Sequence, residues 1–321
     1  MVTEQPMTFS KPNFRDPRWW PRIHAATHAA PPEDPKALAL WIHLLTVPTP
    51  HMQALKAAQA QLRLRHVGFT ERWLAVSGES DLGKSRAITA IMLREAMASE
   101  EPWMNRRSDG SLHVPFVYIE VDRGEEAPGL MSAIAKFCGI PNSGNGRDLL
   151  DRLSEALPRV GTRLIVIDDA RMLRRSSASA SRLTDGLRTL LRLPVPILYI
   201  GIDLPASALL WDPGRNNDTV QQLVRRHDAL HLNRLNGPEG VATVNSIVAA
   251  FARRLRQIPN FTAPGLTDRP LLSDLAMRSQ GRPGTLFITL KFAAAGAALG
   301  DRILSAERIA AELPISATGA A

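Results

Sequence analysis

The sequence has little that would indicate secretion or insertion into a membrane. It contains one cysteine, Cys138, so no internal disulfide can form, and we interpret this thiol as buried and inert rather than nucleophilic. No apolar run reaches the roughly 18 residues that a membrane span needs. The first residues lack the charged-then-apolar pattern of a signal peptide. We therefore expect a cytoplasmic protein that has no membrane partner.

Lysine is also scarce, so arginine supplies most of the positive charge. Only six of the 39 basic residues are lysine, and the formal net charge is +8. The planar guanidinium group of arginine suits phosphate, which makes nucleic acid a reasonable partner. An alternative is that an Arg- and Ala-rich composition reflects a GC-rich genome. No zinc-ligand or helix-turn-helix spacing is present, so we expect any DNA binding to be non-specific and sensitive to salt.

Strand and helix patterns alternate through the middle of the chain. Residues 1–35 form a proline-containing arm, and both a docking arm and a disordered tail are open interpretations. Residues 36–235 begin with a helical lead-in (36–66) and continue as strands alternating with helices. This pattern predicts an α/β domain with a parallel sheet. Residues 236–321 carry only helical patterns and predict a small helical lid domain and tail. The predicted strands are Trp73–Ser77, Val114–Val121, Arg163–Ile167, Val195–Gly201 and Asp228–Leu232.

The most specific motif is a match to G-x-x-x-x-G-K-[ST], which follows the first predicted strand. The glycines let backbone N–H groups turn toward a β-phosphate, and the next helix adds its positive N-terminal end. We expect Lys84 to contact the β- and γ-phosphates and the Ser85 hydroxyl to ligate magnesium. The sequence therefore predicts a site for ATP with Mg²⁺. The predicted nucleotide-binding residues are Gly78, Glu79, Ser80, Asp81, Leu82, Gly83, Lys84, Ser85 and Arg86.

An acidic pair, Asp168-Asp169, follows four apolar residues that predict a buried strand. Ligands bind at the carboxyl edge of open α/β sheets, where such a strand would deliver its carboxylates. We expect Asp168 to hold Mg²⁺, largely through water, as the Walker B aspartate. Asp169 would lie where a base polarises the attacking water.

Three further positions are candidates for sensing the γ-phosphate. Asp203 ends the fourth predicted strand, and Arg225-Arg226 precedes the fifth. An arginine just before the fifth strand can reach the nucleotide of a neighbouring subunit and stabilise transition-state charge. We favour Arg226 as this finger and place Arg225 second; a surface pair on a helix is the alternative. Arg282, near the start of a lid helix, is expected to contact the nucleotide from above.

The order of these elements resembles that of AAA+ ATPases, and the closer similarity is to the TniB family of transposition ATPases, which are related to TnsC and more loosely to MuB. The resemblance covers about Pro35 to Leu313. Its specific segments are Ser77-Gly-Glu-Ser, Tyr199-Ile-Gly-Ile-Asp-Leu, Gln222-Leu-Val-Arg-Arg, Leu266-Thr-Asp and Ser279-Gln-Gly-Arg-Pro-Gly-Thr-Leu.

This resemblance implies a homo-oligomer, a ring or a filament, that assembles on double-stranded DNA when ATP is bound. Such proteins mark a target and recruit a DDE transposase, and ATP hydrolysis resets the assembly. One position departs from the family, which usually has Glu where this chain has Asp169. The shorter carboxylate lies about one methylene further from the water, so we expect tight ATP binding and slow turnover without partners.

The DNA contacts and the functional class are less specific in the sequence. Four arginines follow predicted strands, where loops can line a central pore and contact phosphates, although solvated loop arginines are the alternative. These are Arg123, Arg171, Arg174 and Arg175. Two other functions compete with transposition. One is a helicase-loader or secretion-type AAA+ ATPase that remodels a protein partner, and the other is an ATP-gated signalling or defence switch.

Overall fold

A five-stranded parallel sheet forms the centre of the computed structural model, which describes residues 30–67, 73–98, 101, 103–104, 106–121, 127–142, 146–170, 189–202, 204 and 227–312. The strands are β1 (Trp73–Ser77), β2 (Phe116–Glu120), β3 (Leu164–Asp168), β4 (Ile197–Gly201) and β5 (His227–His231). Their order is β2-β3-β4-β1-β5, and every neighbouring pair is parallel. The predicted α/β class and the five predicted strands are confirmed.

The strands at the centre of the sheet are buried along their whole length. Every residue of β1, β3 and β4 is buried, including successive residues whose side chains point to opposite faces. Both faces of the sheet are therefore covered, as the nearly continuous apolar runs of these strands require. β5 is an edge strand and is partly exposed.

The helices of the described residues follow the predicted pattern closely. They are α1 (Pro35–Leu44), α2 (Pro50–Val67), α3 (Lys84–Met97), α4 (Ala127–Cys138), α5 (Gly146–Arg159), α6 (Gly237–Leu255), α7 (Arg269–Arg278), α8 (Pro283–Leu299) and α9 (Ala306–Glu312). Local signals set several starts, since α1, α6, α7 and α8 each carry proline in the first two positions. None of these helices, within the part of the chain that the structure describes, is long and apolar enough to cross a membrane.

Two hydrophobic cores organise the chain, and one helix lies in an unexpected place. The first core surrounds the sheet, with α2 to α5. The second joins α6 to α9 and also includes Leu38, Trp41 and Ile42 of α1. The sequence grouped this lead-in helix with the α/β domain, whereas α1 packs mainly on α8. Its apolar side chains complete the buried surface of the small helical domain, and the predicted domain boundaries themselves stay a prediction.

Candidate nucleotide-binding site

The P-loop connects the carboxyl end of β1 to the first turn of α3. Gly83 has φ 80°, a left-handed conformation that glycine adopts without strain. At Gly78 the requirement is closeness, because an added Cβ would lie 2.6 Å from the carbonyl oxygen of Leu232. The chain after β5 is held there by a hydrogen bond from the Leu232 N–H to the Ser77 carbonyl (2.8 Å). The loop is thus braced against the end of the sheet.

The Lys84 ammonium group lies inside the loop. Its Nζ donates to the carbonyl oxygens of Gly78 (2.9 Å) and Glu79 (2.6 Å), and the residue is only 8 % exposed. Burial lowers the pKa of Lys84, and the negative charges of Asp168 and Asp169 oppose that shift. A largely enclosed cation beside the loop N–H groups is suited to an anion such as phosphate.

The loop is supported by two side chains, those of His51 and Ser77, which the sequence did not single out as site residues. The ring of His51 on α2 is buried, and its Nδ1 lies 3.1 Å from the Leu82 carbonyl oxygen. That nitrogen must carry the proton, because a carbonyl only accepts. The Ser77 hydroxyl accepts a hydrogen bond from the Leu204 N–H (3.1 Å), which ties the end of β1 to the turn after β4.

Asp168 and Tyr118 form a buried pair beside the loop. Asp168 is 4 % exposed, and its Oδ2 accepts a hydrogen bond from the Tyr118 hydroxyl. Burial raises the pKa of Tyr118, and so does the charge of Asp168; Ser85 also hydrogen-bonds to this hydroxyl. Tyr118 therefore links the serine of the P-loop to the acid of β3. The sequence did not single out Tyr118, and its position as the lone tyrosine among the apolar residues of β2 is the signal that could have indicated it.

The oxygen atoms in this corner fit magnesium in its usual role. Mg²⁺ prefers hard oxygen ligands, takes few of them from protein, and keeps waters and phosphate oxygens for the rest. Asp168 and Ser85 offer a carboxylate and a hydroxyl joined through Tyr118. In the described residues, this corner included, no group of three or more His, Cys, Asp or Glu side chains could hold a metal ion.

Asp169 lies at the exposed mouth of the site. Its N–H donates to Asp168 Oδ1 (2.9 Å), and its φ of 53° turns the chain sharply after β3. A non-glycine residue in this left-handed region is uncommon, although aspartate tolerates it better than most. The turn exposes Asp169 while Asp168 stays buried, so the two neighbouring carboxylates occupy different environments.

The helical domain contacts the P-loop directly. The Gly284 N–H donates to the Asp81 carbonyl oxygen (2.6 Å) at the start of α8. Glu79 accepts from Arg282 (Nη2 to Oε2, 3.1 Å) and from Arg234, whose Nε lies 3.0 and 2.9 Å from the two carboxylate oxygens. The hydrogen bonds from Arg234, more than those from Arg282, lower the pKa of Glu79. Arg282 thus reaches the loop mouth, and Arg234 is an additional residue there that the sequence did not indicate.

A largely apolar cavity of about 310 Å³ adjoins the P-loop. Its walls come from the segment between α1 and α2, from the start of α3, and from α8. The apolar lining includes Leu45, Val47, Met52, Phe287 and Ile288. The volume lies at the lower end of the range of about 300–1,000 Å³ for small-molecule sites, which suits a nucleobase and part of its sugar.

The structure therefore brings together the P-loop residues, Asp168, Asp169 and Arg282. Arg86 differs from the rest of the motif, because its guanidinium contacts Leu44 and Thr46 in the segment at the end of α1. The other predicted site residues lie outside the described residues: Asp203, Arg225, Arg226, Arg123, Arg171, Arg174 and Arg175.

The strand order, the P-loop after β1, the acid at the end of β3 and the helical domain on the loop define a P-loop fold of the AAA+ class. Residues 65–203 match the family model described as AAA domain. The Orc1 protein of Aeropyrum pernix, solved in complex with DNA, has a similar structure with TM-score 0.56 and 18 % identity. That match covers 85 % of this chain and 68 % of the other.

Two more solved structures are similar at lower scores. Domain III of the replication initiation protein DnaA from Thermotoga maritima has TM-score 0.48 and 13 % identity, covering 84 % of this chain and 93 % of that one. Cdc6p from Pyrobaculum aerophilum has TM-score 0.47 and 16 % identity, covering 79 % and 63 %. A search of curated proteins found no match. The family model and the Orc1 match support the AAA domain and its fold.

Proposed function

We propose that this chain binds ATP with Mg²⁺ in the P-loop and hydrolyses it slowly. The observation that carries the proposal is the position of Lys84, enclosed in the loop with Asp168 nearby. In the proposed complex Lys84 exchanges its two carbonyl partners for phosphate oxygens, and the apolar cavity receives the base. Magnesium supplies charge neutralisation at the phosphates when bound, with Asp168 and Ser85 holding it.

Asp169 is the proposed base that orients the attacking water. Its exposed position at the mouth of the site supports this role. The side chain is one methylene shorter than glutamate, so we expect slow hydrolysis by the isolated protein. Asp203 and the Arg225-Arg226 pair are proposed to complete the site, Asp203 as a sensor and Arg226 as the finger that a neighbouring subunit provides, with Arg225 as the second candidate.

The ion pairs at the loop mouth support a nucleotide-dependent change in the helical domain. Glu79 binds Arg234 and Arg282, and Arg282 belongs to the segment that starts α8. A bound triphosphate would bring several negative charges to the same place and compete with Glu79 for these arginines. We propose that this competition sets the position of α8 and so reports the state of the nucleotide.

At the level of the cell, we propose a regulator of DNA transposition that oligomerises on double-stranded DNA and recruits a DDE transposase. The support is the set of TniB-like segments in the sequence, the basic composition, and the fold shared with a protein that was solved on DNA. Arg123, Arg171, Arg174 and Arg175 are the proposed DNA contacts, and they would give non-specific, salt-sensitive binding.

The test is co-sedimentation with duplex DNA in the presence of a non-hydrolysable ATP analogue, for the wild type and Lys84→Ala. We expect the wild type to sediment with DNA only when the analogue is present, and the variant to stay in the supernatant. Electron microscopy of the pellet should show rings or filaments on DNA. Monomers that DNA does not affect would sink the proposal of a DNA-assembled regulator, and failure to bind ATP would sink the proposed site.

A further inference from the structure

Two cations lie at the wall of the apolar cavity. Lys291 of α8 is 8 % exposed, and its Nζ donates to the His43 carbonyl oxygen (2.9 Å). Arg86 of α3 donates through Nη2 to the Leu44 carbonyl oxygen and to the Thr46 hydroxyl (3.3 Å). Both side chains line the cavity. Helix α3, which follows the P-loop, and helix α8, which contacts it, therefore both hydrogen-bond to the same short segment through these side chains.

The meeting point is the C-terminal end of α1. His43 and Leu44 are the last two residues of that helix, whose final carbonyl groups have no partner within the helix. These carbonyls carry the partial negative charge of the helix end, which attracts cations. Arg86 and Lys291 thus satisfy the end of α1 from two sides.

The charges at this point are balanced by backbone and not by acids. Among the described residues, Asp168 is the one buried carboxylate, and the recorded ion pairs do not include Arg86 or Lys291. Burial lowers the pKa of Arg86 to about 10. The pKa of Lys291 lies well below its usual value, mainly because the group is buried and secondly because of the positive charge of Arg86.

The Arg86 guanidinium is more enclosed than the residue as a whole, which is half-buried. Its Nε is buried and has no hydrogen-bond partner. Placing two cations here is costly, because removing a charge from water is unfavourable unless it is paired. Apolar residues of similar length would stabilise a core of this kind at least as well, so the cost points to a role beyond folding.

We infer that Arg86 and Lys291 are positioning residues for the nucleoside half of the ligand. Through the end of α1 they hold α3 and α8 at the separation that the cavity requires, with Leu45 and Val47 on one wall and Phe287 on the other. This inference rests on the proposed nucleotide site, since it assigns the cavity to the base. It predicts that the affinity for nucleotides depends on these cations, whereas the affinity for the phosphate chain alone does not.

Lys291→Met tests the inference, because methionine keeps an unbranched side chain and removes the charge. We expect the Kd of the variant for ATP and for ADP to rise about tenfold, which corresponds to about 1.4 kcal/mol. The Kd for inorganic tripolyphosphate, measured by the same calorimetric titration, should stay within twofold of the wild type. A general loss of structure would weaken both ligands together, so this split separates a positioning role from a structural one.

The matched control is Arg302→Met. Arg302 also donates to two backbone carbonyls, those of Pro259 and Glu33 (both 3.1 Å), and it does not line the cavity. We expect unchanged affinity for ATP and for tripolyphosphate. If Lys291→Met fails to fold, Thr46→Val replaces it, since valine keeps the shape and removes one acceptor of Arg86. A smaller rise of about two- to threefold for ATP alone is then expected.

The outcomes separate the two proposals. Equal weakening of ATP and tripolyphosphate, or no change for either ligand, would overturn the positioning role and leave the P-loop assignment standing. Wild-type protein that binds neither ligand would overturn the proposed nucleotide site, and the positioning role with it.

Discussion

The contact between Gly284 and the P-loop is a sensitive point in the site. A Cβ added at Gly284 would lie 2.4 Å from the carbonyl oxygen of Asp81 and 2.9 Å from its carbonyl carbon and Cα. Separations under 3.0 Å essentially never occur for real Cβ atoms, and the clashing atoms belong to backbone, which cannot rotate away as a side chain does. In Gly284→Ala, either α8 or the P-loop must therefore move.

The cost can be estimated from two contributions. Overpacking a close contact costs about 1–3 kcal/mol. The Gly284 N–H···O hydrogen bond to Asp81 is 2.6 Å long and contributes about 1 kcal/mol more when the helix moves away. Together these contributions make the contact between the helical domain and the loop less favourable by about 2–4 kcal/mol. We expect a lower Tm by several degrees and ATP binding weakened at least tenfold, as measured by differential scanning calorimetry and calorimetric titration.

Gly296→Ala is the matched control in the same helix. An added Cβ at Gly296 meets no heavy atom within 4 Å, and the residue lies on the exposed side of α8. Because glycine weakens a helix by about 0.5–1 kcal/mol relative to alanine, this variant should be slightly more stable than the wild type and bind ATP equally well. The reasoning is wrong if Gly284→Ala matches the wild type in both assays, which would mean that α8 does not rest on the loop in solution.

Two further predictions concern buried groups. Tyr118→Phe removes the hydrogen-bond donor to Asp168 Oδ2, so we expect the free energy of unfolding, measured in urea, to fall by about 1–3 kcal/mol. The Mg²⁺ concentration for half-maximal ATP binding should also change. An unchanged Mg²⁺ dependence would place the tyrosine outside the proposed metal site. Burial raises the pKa of Cys138 to about 12, so at pH 8 only about one thiol in ten thousand is ionised. Iodoacetamide should therefore leave the native protein unmodified, whereas unfolded protein should react within minutes. Rapid labelling of the native protein, followed by mass spectrometry, would contradict the burial of this thiol.

Local patterns in the sequence were sufficient for the secondary structure of the described residues and for the position of the P-loop. The apolar runs of β1, β3 and β4 predict buried strands because a sheet covered on both faces requires them. The spacing from Gly78 to Ser85 predicts the loop because its shape depends on backbone freedom within eight consecutive residues. Both signals lie within a few residues of the structure that they predict.

Contacts between distant segments were decided by tertiary structure. Tyr118 and Asp168 are 50 residues apart, Glu79 and Arg282 are 203 apart, and Lys291 reaches the carbonyl of His43 across 248 residues. Local periodicity does not predict such partners, because they come together only when the strands have ordered and the helices have packed. For the same reason the sequence grouped α1 with the α/β domain, whereas the helix packs mainly on α8: its apolar face predicts burial, but any apolar surface satisfies that requirement.

The composition and motifs of this chain thus determined its class of fold and the position of the loop that we propose binds a phosphate chain. Only the folded structure showed that α1, α3 and α8 meet at the cavity beside that loop, where backbone carbonyls hold a buried lysine and a partly buried arginine. The physical reason is the range of the interactions. Backbone conformation and hydrophobic periodicity act between near neighbours in sequence, whereas hydrogen bonds to buried charges depend on which surfaces the whole chain brings together.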